Sequence, residues 1–238
     1  MNLLSCVPVC PFAFGMVVIG SLKAYAPLLA SHLGTTPAAL YERQRALVRA
    51  GLLAQPEGRG PGSGVPVRPY EVALLLIAVL ATDSLSDTSE KARLVSMARS
   101  GVNDNACPFT GEQTFVEAVA RVLDMSHDQW REIVSITVHR TTGAGSISYK
   151  GGLRVGSSYF REIRRAPQLR GPVTFIVDAS LTREVIIQIA SDLKKIADSE
   201  RHARAAALQR AAPAEMEIKS RGRRNLHEST AAKTRKRK

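Results

Sequence analysis

Cysteine, catalytic signatures and membrane-length apolar runs are all scarce in this chain, and acids are well outnumbered by bases. The three cysteines, Cys6, Cys10 and Cys107, form no CxxC pair, so a disulfide-stapled scaffold is excluded and reduced thiols are expected. No second pair follows Cys6 and Cys10 to complete a zinc site, and the five histidines, His32, His127, His139, His202 and His227, are scattered. The apolar stretch at residues 72–80 is too short to span a bilayer, which needs about 20 residues. Residues 1–20 are apolar but broken by Pro8, Pro11 and Gly15, with no positive side chain before Lys23, so they fit neither a secretory signal nor a span. They read as a disordered or mis-annotated arm, with translation starting at Met16.

Signatures of chemistry are missing as well. There is no Gly-x-Ser-x-Gly elbow and no His-Glu-x-x-His helix, and the glycines at 58–64 lack the Gly-Lys-Ser/Thr of a phosphate loop. Carboxylate pairs such as Asp104 with Asp124, or Asp178 with Glu184, are what any chain with 21 acidic residues offers. No enzymatic activity, metal or cofactor is expected.

What the chain does have is enough apolar content to fill a core, 45% of 238 residues, and an uneven positive charge. The formal net charge is +12, and residues 219–238 hold nine Lys/Arg against the single acid Glu228, so this tail supplies eight of the twelve net charges. A basic tail on a nearly neutral body suits an anionic polymer, because each phosphate neutralised releases counterions whatever the base sequence. The alternative is a solvated, solubilising tail.

Residues 26–67 organise the rest. A short helix carrying Leu28, Leu29 and Leu33 runs to Gly34, a turn follows at Thr35-Thr36, and a second helix opens with Thr36 as cap and Pro37 at its first position. With one residue every roughly 100° around the second helix, Leu40, Leu47 and Gly51 face its partner. Ala38, Tyr41, Glu42, Arg45 and Arg49 fall opposite, with Arg43 nearer the packed edge. Small side chains that permit close approach, followed by an aromatic ring and guanidinium groups, suit a DNA major groove. An ordinary amphipathic helix with a solvated basic face is the other reading.

After this helix come two short strand-like pieces, 52–57 and 65–68, around a glycine-rich tip holding Arg59. The Leu29-Ala30 and Leu33-Gly34 pairs, the Leu40 to Leu47 spacing, the Gly51-Leu52-Leu53 exit and the Arg59 loop together resemble the winged helix-turn-helix superfamily of bacterial regulators. The resemblance covers under a third of the chain. It implies a recognition helix followed by a wing, although Pro66 removes a ladder donor and the tip also fits a flexible linker.

Further along, residues 71–82 are apolar on every side and predict a helix buried all round, within the chain or against a second subunit. An amphipathic helix is expected over 87–99, and the loop 101–110 is the best domain boundary. Residues 112–125 predict a one-sided helix. Residues 133–139 and 146–150 predict a hairpin with a glycine turn, and 173–177 a third strand, after which Ser180 caps a helix through Lys194. Between hairpin and third strand, Tyr159, Phe160, Arg161, Arg164, Arg165 and Arg170 read as a connection lying over a sheet or as a phosphate-gripping stretch. Past Pro213 the chain reads as disordered when free.

The expected fold class is α+β, mainly α: an arm at 1–20, a winged helix-turn-helix domain at 21–100, a small α+β oligomerisation or regulatory domain of about three strands at 111–196, and a helix extension with a basic disordered tail at 197–238. The expected function is sequence-specific binding of double-stranded DNA by a bacterial or prophage transcriptional regulator, cytoplasmic and nucleoid-associated, acting as a homo-oligomer with a dimer as first expectation and no membrane partner. In that role Ala38 lets the helix approach, Tyr41, Glu42 and Arg45 face the bases, Arg43 and Arg49 hold the backbone and Arg59 enters the minor groove. Lys219, Arg221, Arg223, Arg224, Lys233, Arg235, Lys236, Arg237 and Lys238 add salt-dependent affinity. A DNA-packaging or nucleoid-type architectural protein, and a protein or RNA interaction module, are the alternatives.

Overall fold

The computed structural model describes residues 20–55, 64–100, 106–151, 154–161 and 177–235, and beyond Gln209 only the course of the helix backbone. Ser21 caps α1 (Leu22–Leu33), its hydroxyl accepting from the Ala24 N–H at 3.3 Å. Gly34, at φ 62°, takes the left-handed conformation that ends the helix, which costs a glycine little for want of a Cβ. Thr36 then caps α2 (Pro37–Arg49) by accepting from the Ala39 N–H at 3.2 Å, with Pro37 where its missing donor is not needed. The expected helix, tight turn and helix are all present.

Helix α3 (Pro69–Ala81) is the hub of the packing. It touches α2, α4 (Thr88–Ser96), α5 (Phe115–Leu123) and the sheet, and residues from Val72 to Ile77 are all at 2% exposure or less. Its burial all round, expected from its composition, is met within this one chain. Each Leu or Ile so enclosed contributes roughly 1.5–3 kcal/mol. Thr114 caps α5 through a reciprocal box with Glu117, and a single turn, α6 (His127–Trp130), follows it.

Five antiparallel strands complete the fold: β1 (Arg99–Ser100), β2 (Ile133–His139), β3 (Ala144–Gly151), β4 (Arg154–Arg161) and β5 (Asp178–Thr182), in the order β1-β4-β3-β2-β5. Ile136, Val138, Ile147, Phe160 and Leu181 turn to one face and meet α3, α5 and α7 (Arg183–Arg235). One hydrophobic cluster therefore runs from α1 to α7, and the two units suggested by the sequence share a core.

Several expectations are corrected here. The hairpin strands lie where the sequence puts them, but Ser180 sits inside β5 rather than capping a helix, because Asp178, Ser180 and Thr182 alternate with Ala179 and Leu181 against β2. Tyr159 to Arg161 belong to β4, paired with β3 and β1, and are not a connection over the sheet. Of the piece expected at 52–57, residues 52–55 form no strand and 56–57 lie outside the described residues, and 65–68 forms no strand either. Instead Val65 and Val67 are buried and the Val65 carbonyl accepts from the Leu22 N–H at 2.8 Å, so this segment packs against the start of α1. Of the strand expected at 173–177, residues 173–176 lie outside the described residues. The last helix runs past Lys194 into the expected extension and continues through Pro213, over the stretch read as disordered, to Arg235. At 53 residues it measures about 80 Å. No helix among the described residues is long and apolar enough to cross a membrane.

Candidate nucleic-acid interface

Helix α2 is held rigidly on its inner side. Leu40 and Leu47 are at 1% and 0% exposure and Gln44 is buried beside them. Ala38, Arg45 and Arg49 are exposed on the other side, and Tyr41 and Glu42 are half-buried at its margin. The capped, packed helix thus presents one small residue, one ring and two guanidinium groups to solvent along its length.

The ring of Tyr41 lies between two cations, with Lys23 Nζ at 5.3 Å and the Arg45 guanidinium carbon at 6.0 Å from its centroid. Glu42 pairs with Arg45 at 3.0 Å one turn away, which draws that long side chain along the helix. Lys23 comes from α1 and was not foreseen; its signal is its place one residue into that helix, beside the face opposite Leu22. At the far end Arg49 borders a shallow groove of about 300 Å³ with Ala46, Ala50, Leu85, Ser86 and Ser89.

Arg43 does not belong to this face. It is at 8% exposure, and its Nη2 donates to the carbonyls of Thr82 and Asp83 at 3.2 and 3.3 Å. Burial lowers its pKa from the ordinary arginine value, partly offset by Asp83 and reinforced by Arg140. The guanidinium closes the C-terminus of α3, so the phosphate-holding role expected from the sequence is withdrawn. His32 is 2.8 Å from Asp192 and ties α1 to α7. Beside it the phenol of Tyr25 is held above its ordinary range by burial first and Asp192 second.

Compared with known proteins, the chain matches no family model, no curated protein and no solved structure. The site is therefore judged on its own geometry. Arg59 and Lys236, Arg237 and Lys238 lie outside the described residues, while Lys219, Arg221, Arg223, Arg224, Lys233 and Arg235 lie on the backbone of α7 far from α2 in sequence. Among the described residues no group of three or more His, Cys, Asp or Glu side chains is placed to hold a metal ion. Cys107 is buried and its thiol is 3.2 Å from the Ser158 hydroxyl, a packing contact between the loop before α5 and β4.

Proposed function

We propose that this protein binds double-stranded DNA in a sequence-specific way through the outer face of α2, as a bacterial or prophage-type transcriptional regulator. One observation carries the reading. Tyr41, Arg45 and Arg49 project on the same side of a helix whose other side is locked by Leu40, Arg43, Gln44 and Leu47. A rod about 20 Å long with an exposed basic and aromatic edge fits a major groove, where arginine reads guanine edges or grips phosphates. In this reading Ala38 permits close approach, Arg45 and Tyr41 meet bases, Glu42 orients Arg45, and Lys23 and Arg49 neutralise phosphates on either side. A homodimer would offer two such helices to a two-fold operator.

The test is affinity for fragments selected from sheared chromosomal DNA, compared with random duplex. Arg45→Ala is expected to cost roughly 1–3 kcal/mol on selected fragments and to relax one base position. Equal binding of selected and random duplex by both proteins would refute the assignment.

A further inference from the structure

The face of the sheet turned away from the helices carries an arrangement that duplex binding by α2 does not use. Register brings Ser180, Thr137, Ser146 and Tyr159 into one row across β5, β2, β3 and β4, and Thr182, Ser135, Ser148 and Ser157 into the next. All eight residues bear hydroxyl groups. Neighbouring side chains in a row lie about 5 Å apart. Ser146 is buried against His139 and Ser148 bonds Ser157 at 3.2 Å, while the other hydroxyls line the surface.

One aromatic platform stands in these rows. Tyr159, 57% exposed, lies parallel to His139 with centroids 5.4 Å apart and planes 7° from each other. The imidazole cannot swing, because Nδ1 is 2.8 Å from Asp178 and Nε2 is 3.2 Å from the Ser146 hydroxyl. The order Asp, His, Ser resembles a nucleophilic relay, but Ser146 is at 5% exposure, beside Tyr159 in its row. The relay's work here is to fix the platform.

We propose that this face binds single-stranded nucleic acid. Base stacking needs an open ring with a fixed plane, which Tyr159 on His139 provides. Sugars and phosphate oxygens need hydroxyl donors, which the exposed Ser157 and Ser180 and the half-buried Thr137 and Ser148 provide. The charge suits a polyanion: Lys150 and Arg161 stand exposed on the same face of β3 and β4, and of the two carboxylates beside the rows Asp178 is engaged by His139 and Glu184 by Thr182 and Arg183. Few apolar side chains face outward here, which disfavours a protein partner. A neutral polysaccharide would use the ring and hydroxyls but gain nothing from the two cations.

The experiment uses the full chain and fluorescein-labelled oligomers of 20 uridines or 20 thymidines, read by anisotropy. Tyr159→Ala is expected to weaken binding about tenfold or more, Tyr159→Phe to retain most of it, and Lys150→Ala to flatten the salt dependence. Arg45→Ala should leave these affinities unchanged, and Tyr159→Ala should leave duplex binding unchanged, so the two surfaces fail separately. Unaltered oligomer binding by Tyr159→Ala, equal weakening by Tyr159→Phe, or displacement of the oligomer by dextran would each overturn the proposal.

Discussion

Arg43 Nη2, at the middle of α2, lies 3.2 Å from the carbonyl oxygen of Thr82, the residue that closes α3. The buried side of α2 is thereby joined to the hub of the core by a charged hydrogen bond, while Arg45 two residues on stays in solvent. The two arginines should behave oppositely on substitution. Arg43→Ala leaves carbonyls at a helix end without a donor and is expected to cost roughly 1–3 kcal/mol in urea unfolding. Arg45→Ala is expected to stay within about 0.5 kcal/mol of the parent. Equal stability of the two variants would contradict the assignment of Arg43 to the core.

Acid should weaken the corner that Arg43 and Arg140 share. Arg140 donates to the Leu80 carbonyl and to both carboxylate oxygens of Asp83, and this hydrogen bonding first, then the charges of Arg140 and Arg43, holds Asp83 below the usual carboxylate range. A depressed folded-state pKa contributes stability that is complete above the unfolded value of about 3.9 and is lost as pH falls through the lower folded value. The difference in stability between the parent and Asp83→Asn is therefore expected to be largest near pH 7 and to shrink as pH falls through the depressed Asp83 value. It should be small throughout, because the Asp83 side chain is 86% exposed.

Gly145 marks where α5 presses on the sheet. A Cβ there would come within 2.6 Å of the Phe115 ring, which is fully buried and packed on Phe160 at 5.3 Å. Gly145→Ala is expected to destabilise by roughly 1–3 kcal/mol in thermal unfolding. Adding Phe115→Leu should recover part of that loss, since the methyl group then has room.

Removing residues 219–238 takes away nine Lys/Arg. Affinity for selected and random duplexes should fall by the same factor, and the slope of log affinity against log salt should drop by roughly 0.9 for each phosphate that the tail had neutralised. A weakening confined to selected fragments would mean that the tail reads sequence.

Much of this molecule was legible because strong local signals agreed. Thr36-Pro37 and the Leu40 to Leu47 spacing set the start and the inner side of α2, and the alternation of Ile133, Ser135 and Thr137 with Val134, Ile136 and Val138 places β2 at its observed bounds. What escaped was written in small polar residues. In β4 and β5 the outward positions are Ser157, Tyr159, Ser180 and Thr182, and inward the large Phe160 and Leu181 each follow small residues, Gly156 and Ser158 or Ala179, so a two-residue period shows little apolar contrast. Arg43 was misplaced because a helical wheel shows direction but not the depth of the neighbour, and here the neighbour is the end of α3. The segment 65–68 read as a strand from its valines, yet those valines are drawn inward to α1 and the core.

The most direct test of the α2 reading is photo-crosslinking from the position of Tyr41. With benzoylphenylalanine at 41, irradiation in the presence of selected duplex should give a covalent protein–DNA adduct, with the modified bases clustered within one short site. The same probe at Leu208, exposed far along α7, should give weak adducts spread over any sequence. No adduct from position 41, or adducts from 41 as scattered as those from 208, would contradict the account.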